Sequence, residues 1–176
     1  MNFARVLEAV SAFLDEKGHP HALIGGVALA AYGFARTTLD LDFVLNGEAE
    51  EDVVHFLESL GYQTVHRSTG YSSHVHPDLL WGRVDILYVR GETSREIFAA
   101  CRPSVGPGGR PVLLPKPEHL AAMKVLAMKN DPGRTFQELA DIRFLIRLPG
   151  VDRQEVRAYF DRYGMRERFD ELAENS

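Results

Sequence analysis

The hydrophobic positions change period along the chain. Near the N-terminus Phe3, Val6, Leu7, Val10, Phe13 and Leu14 recur at helical spacing and predict a helix over residues 2–17, ended by Gly18 and Pro20. A short apolar strand, Ala22-Leu23-Ile24, leads into Gly25-Gly26, and residues 27–32 read as a short helix closed by Gly33. Over residues 39–45 the period becomes two. Leu39, Leu41, Phe43 and Leu45 fall on one side, and Asp40, Asp42 and Val44 on the other. A helix over 49–60 follows, then strands over 62–67, 72–76 and 83–89. Thr93-Ser94-Arg95-Glu96 has the form of a capping box opening a further short helix.

From Arg102 to Pro117 the chain is rich in proline and glycine around a brief strand at 112–114, which places the one subdomain boundary there. Beyond it the period is helical again, over 118–129, over 135–147, and from 152 to the C-terminus with a break near Gly164. The pattern predicts an α+β fold: a core of strands and helices over residues 1–105, then a closing strand and a C-terminal helical segment over 106–176, packed as one unit with the core.

The period-two stretch carries the chemistry. Residues two apart on a strand share a face, so Asp40 and Asp42 present parallel carboxylates, in a register anchored by Leu39, Leu41 and Phe43. Two such carboxylates repel each other unless a cation lies between them, and Mg²⁺ takes oxygen ligands while keeping positions for water and phosphate. A third acid, Asp85, stands alone in the apolar strand Arg83-Val84-Asp85-Ile86-Leu87, where a charge is costly unless paired or bound to metal. Three such acids suit a two-metal mechanism, with Mg²⁺ or Mn²⁺ binding a triphosphate and activating an acceptor hydroxyl, and Asp85 accepting its proton. Gly25-Gly26, between a strand and a helix, allows close approach of the backbone and offers N–H groups to phosphate oxygens.

Charge refines this picture. The net charge of -5 argues against binding nucleic acid over the whole surface, yet it is uneven. Residues 1–101 hold 7 Lys/Arg and 14 Asp/Glu, a net of -7; residues 102–147 hold 8 and 4, a net of +4; the remainder holds 5 and 7, a net of -2. The acidic part carries the candidate metal ligands, and the basic part could face phosphates. With 45% hydrophobic residues a chain of this length buries a core without disulfides, and its single cysteine, Cys101, excludes an internal bridge and fits a reducing compartment. Residues 1–18 lack the apolar core of a signal peptide, and no apolar run approaches the roughly 18 residues of a membrane span, so a cytoplasmic protein is expected.

In order, Ile24-Gly25-Gly26, 13 residues, then Asp40-Leu41-Asp42-Phe43 resembles the signature of the polymerase-β-like nucleotidyltransferase superfamily. The fuller string GGVALAAYGFARTTLDLDFVL is similar to a branch of small bacterial nucleotidyltransferases related to abortive-infection and toxin–antitoxin toxins. The resemblance covers residues 21–89 and extends loosely to 146. It implies a nucleotidyltransferase-type mixed β-sheet flanked by helices, and Mg²⁺-dependent transfer of a nucleoside monophosphate from an NTP, with ATP among the candidates, to a hydroxyl of RNA such as tRNA, of a protein or of a small molecule. It also admits a cognate antitoxin as partner. Arg36 and Thr38 match the branch's Arg-x-Thr, Arg36 as a phosphate contact or as an ion-pair partner of Asp40 or Asp42, Thr38 as support for the turn into the strand. Lys124 matches a lysine that faces the triphosphate, with a snorkelling structural lysine as the alternative. Arg134 and Asp141 resemble an Arg…Asp pattern, Asp141 being expected to accept a salt bridge from Arg134 or Lys124.

Two further readings compete: a non-catalytic nucleotide-binding or interaction protein that kept the fold, and a hydrolase using the same metals on a phosphodiester. Other features carry less. His74-x-His76 lacks further Zn²⁺ ligands at useful spacing and reads as surface histidines. Gly106-Pro107-Gly108-Gly109 lacks the Lys-Ser/Thr of a P-loop and reads as a turn. Cys101 reads as an inert thiol. Tyr71 and Trp81 could stack a base, although Trp81 beside Gly82 equally suits the close of a hairpin.

Overall fold

A computed structural model describes residues 1–174, which fall into two compact units, Met1–Pro115 and the chain from Lys116 onward. In the first unit, α1 (Phe3–Lys17) starts where Asn2 Oδ1 accepts the Arg5 N–H at 3.1 Å, and it buries Val6, Leu7, Val10 and Leu14, the stripe its period predicts. Then come β1 (His21–Leu23), α2 (Gly25–Ala31), β2 (Asp40–Asn46), α3 (Glu50–Ser59), the hairpin β3 (Gln63–Ser68) and β4 (Tyr71–Val75), β5 (Arg83–Val89) and α4 (Gly91–Ala99). A second hairpin, β6 (Arg102–Val105) and β7 (Pro111–Leu114), completes the unit.

Five strands form one mixed sheet in the order β1-β2-β5-β4-β3. Only the central pair, β2 and β5, runs parallel, because the chain crosses over between them through α3 and the β3–β4 hairpin. Alternation sorts the two faces. Leu41, Phe43, Leu45, Val84 and Ile86 are fully buried on one face, each such side chain contributing about 1.5–3 kcal/mol. The acids occupy the other. Packing of α1 against β2 and α3, with the Phe13 and Phe56 rings stacked at 4.1 Å, covers the apolar side.

Four expectations change. Leu39 is 75% exposed and lies outside the sheet, since the strand begins at Asp40. Thr93 caps nothing: α4 opens earlier, at Gly91, with no side-chain cap bond. The β6–β7 hairpin belongs to the first unit, because β7 packs on β1 and Arg110 pairs with Glu8 (2.5 Å) and Asp15 (3.0 Å) of α1, so the second unit starts at 116 and not at 106. His74 is no surface histidine. It is fully buried, with Nδ1 3.1 Å from Thr64 Oγ1 and Nε2 2.8 Å from Ser72 Oγ, and Ser72 Oγ in turn lies 2.7 Å from the Tyr88 hydroxyl.

Burial holds the His74 pKa below the ordinary 6.5, against weaker opposing pulls from Glu58 and Asp85. Below 6.5 the unfolded chain therefore takes up a proton that the folded chain refuses, and stability falls with pH until the folded pKa is passed. Urea denaturation from about pH 8 down to about pH 5 should show the stability advantage of wild type over His74→Gln shrinking as the pH drops. An advantage constant over that range counts against a neutral buried His74.

The second unit is helical: α5 (Pro117–Asn130), α6 (Thr135–Leu145), α7 (Arg153–Arg162) and α8 (Arg166–Glu174). Helix α5 packs on α6 and α7, and α7 on α8, around Leu120, Val125, Ile142, Leu145, Val156 and Phe160. Asp152 caps α7 by accepting the N–H groups of Gln154 (2.8 Å) and Glu155 (3.1 Å). No helix among the described residues is long and apolar enough to cross a membrane.

Candidate active site

The parallel register of β2 and β5 sets Asp42 directly opposite Asp85, and Asp40 opposite Arg83. Each of Asp40, Asp42 and Asp85 offers a carboxylate oxygen, and the three oxygens lie within 4.8 Å of one another. All three residues are half-buried. At such separations each pair of like charges costs about 1–3 kcal/mol. An all-oxygen, trianionic set of this spacing suits a hard divalent cation, Mg²⁺ or Mn²⁺, and nothing in it favours a soft metal.

Gly25 and Gly26 form the first turn of α2 and press onto this face. A Cβ on Gly25 would fall 2.0 Å from Asp42 Oδ2, and the Gly25 backbone has φ +63°, so glycine alone fits on both counts. The Ile24 N–H donates to the Asp42 carbonyl at 3.0 Å, which fixes how far β2 lies from the turn. A Cβ on Gly26 would meet Thr38 Oγ1 at 2.8 Å. Thr38 Oγ1 in turn donates to the Asp40 carbonyl at 3.3 Å, at the start of β2. Half-buried Arg36, two residues earlier, donates from Nη1 to the Thr37 carbonyl at 3.3 Å.

Asp85 is held from two strands. Its side chain is 13% exposed, and its Oδ1 accepts from Ser73 Oγ at 2.6 Å and from Arg83 Nε at 3.0 Å. Ser73 is the cross-strand partner of Asp85 on β4, so Asp42, Asp85 and Ser73 form one row across three strands. The Tyr71 phenol joins the same cluster, its pKa raised by burial and then by the Asp85 charge. Sequence reasoning missed Ser73 and Arg83. Arg83 was open to discovery, being two residues from Asp85 on one strand, whereas Ser73 shows itself only through the β4–β5 register.

The remaining candidates make contacts of their own. Lys124 belongs to the second unit, 7% exposed, and donates to Asp141 Oδ2 at 2.5 Å and Glu138 Oε2 at 2.9 Å. Asp141 is therefore an acceptor for Lys124, while Arg134 pairs with Glu138 at 2.7 Å. Burial pushes the Cys101 thiol up to about 11, which keeps it protonated and unreactive at neutral pH. The Trp81 ring packs edge-on to Tyr62 and under the Arg5 guanidinium, 4.4 Å from its centroid.

No protein-family model matches the sequence. Among curated proteins there is likewise no match. Solved structures do match. The antibiotic-resistance factor ANT(2'')-Ia, determined in solution, aligns with a TM-score of 0.67 at 18% identity over 99% of this chain and 98% of its own. Its crystal structure with adenylyl-2''-tobramycin aligns at 0.66 and 17% identity, over 93% and 99%. The lincosamide antibiotic adenylyltransferase LnuA, with lincomycin bound, aligns at 0.53 and 16% identity, over 81% and 96%. The chain has a nucleotidyltransferase fold. Within that fold the acidic cluster occupies the face of the mixed sheet opposite the one that α1 and α3 cover.

Proposed function

We propose that the protein is a Mg²⁺-dependent nucleotidyltransferase that moves a nucleoside monophosphate from an NTP to a hydroxyl of a small molecule. The convergence of Asp40, Asp42 and Asp85 within 4.8 Å carries this reading. ATP is the nucleotide we favour, since LnuA is an adenylyltransferase and the ANT(2'')-Ia complex holds adenylyl-2''-tobramycin. Nearly complete mutual coverage with ANT(2'')-Ia supports the small-molecule acceptor. An RNA or protein acceptor and a cognate antitoxin belong to the resemblance with toxin-related proteins.

A divalent cation bound at these acids would neutralise triphosphate charge and make the acceptor hydroxyl more acidic. Asp40 and Asp42 would hold it from β2, with Gly25 packed against the Asp42 carboxylate so that this side chain keeps one position. Asp85 would complete the set and take the proton of the acceptor hydroxyl. The acceptor oxygen then bonds to the α-phosphorus as the bond from that phosphorus to the leaving oxygen breaks, releasing pyrophosphate. Thr38 and the glycine turn support the start of β2, and in this reading Arg36 and the Gly25-Gly26 backbone face the phosphates.

Calorimetric titration of each of the four NTPs, with Mg²⁺ and with EDTA, tests the proposal. Binding is expected only with the metal and best for ATP. Hydroxyl-bearing small molecules added next should trigger pyrophosphate release. Release of a simple phosphate ester from a phosphodiester would identify a hydrolase, and a folded protein that binds no NTP with metal and acceptor both present would sink the transferase reading.

A further inference from the structure

Asp85 needs a defined rotamer to meet Asp40 and Asp42, because a carboxylate on a strand can swing about χ1 towards either neighbouring strand. Ser73 is fully buried, sits opposite Asp85 on β4, and places its hydroxyl 2.6 Å from Asp85 Oδ1. A serine oxygen so close to a carboxylate donates its proton, and such charge-assisted bonds are about twice as strong as neutral ones. The Arg83 guanidinium, two residues away on the same strand, donates to the same oxygen but is 45% exposed, so water competes for it. Ser73 is shielded from that competition. On β2 Asp42 is fixed differently, by the backbone of Gly25 packed against its carboxylate.

We infer that Ser73 is a positioning residue: its hydroxyl holds the Asp85 carboxylate in the arrangement that brings it to Asp40 and Asp42. The inference rests on the proposed nucleotidyl transfer for its consequence in turnover, but the geometric part stands apart from it. Ser73 itself touches neither metal nor substrate in this scheme.

The test compares wild type, Ser73→Ala and Ser73→Thr by three readouts. In crystal structures, the Asp85 side chain of Ser73→Ala should leave its wild-type position, and that of Ser73→Thr should keep it. By electron paramagnetic resonance, Mn²⁺ alone should bind Ser73→Ala about 10–100-fold more weakly, the usual cost of removing a group that orients a metal ligand. Under saturating metal, kcat should fall by about 10-fold or more with the KM for the NTP nearly unchanged, and Ser73→Thr should restore both affinity and rate. A Ser73→Ala protein with Asp85 unmoved, or with wild-type Mn²⁺ affinity, overturns the inference. Should wild type bind no Mn²⁺ at these acids, the transferase reading falls, and the Asp85 position in the two crystal structures still decides the role of Ser73.

Discussion

Asp42→Asn should lose more than about 100-fold in metal-dependent turnover while its folded state becomes no less stable. Groups that merely orient a metal ligand are worth about 10–100-fold, so a ligand itself sets a higher floor. Asparagine keeps the shape of aspartate, which matters here because Gly25 lies against this side chain and leaves no slack. What the substitution removes is one negative charge from three gathered within 4.8 Å. Without metal, that relief, cut down by solvent screening at these half-buried groups and by the Arg83 cation beside Asp85, is worth on the order of 1 kcal/mol and should raise Tm by about 2–4 °C. Adding Mg²⁺ should reverse the ranking, since only wild type gains stability from binding the ion. Thermal melts of both proteins with EDTA and with Mg²⁺, beside pyrophosphate release, check each part. An Asp42→Asn protein that melts well below wild type in EDTA would show that the carboxylate serves the fold and not a metal.

That balance of local stability against chemistry was partly visible in the sequence. Asp40 and Asp42 could be placed on one face because alternation is a local property of a strand, and the buried Leu41, Phe43 and Leu45 enforce it. The same reasoning reached one residue too far at Leu39, since alternation says nothing about where pairing starts. Asp85 stood out as a lone acid among apolar neighbours. That it faces Asp42, however, depends on β5 lying beside β2 in parallel, a non-local pairing with β3 and β4 between them in the chain. Ser73 was beyond reach for the same reason, being defined by its partner strand and not by its neighbours. His74 misled because polar residues in a strand are ordinarily read as solvated. Its burial is tolerable only because Thr64 and Ser72, on two different strands, satisfy both ring nitrogens.

Lys124→Ala should destabilise the protein by about 3–5 kcal/mol, the cost of breaking a buried ion pair from one side. Its periodicity placed it at the margin of the apolar face of α5, and the helix it meets decides its environment. Glu138 and Asp141, both 1% exposed, lie one turn apart on α6 and direct their carboxylates to the same ammonium group. Removing the lysine takes from both buried anions the ammonium group they share, and the Arg134 that pairs with Glu138 is itself 54% exposed. Tm should fall by about 10 °C. The triple variant Lys124→Met, Glu138→Gln, Asp141→Asn should recover most of the loss, because it removes all three charges while keeping comparable volume. Calorimetry on folded Lys124→Met supplies the other half of the argument. NTP affinity close to wild type assigns the lysine to the α5–α6 packing, whereas affinity lost at unchanged Tm assigns it to the triphosphate and rules out the ion-pair account of its burial.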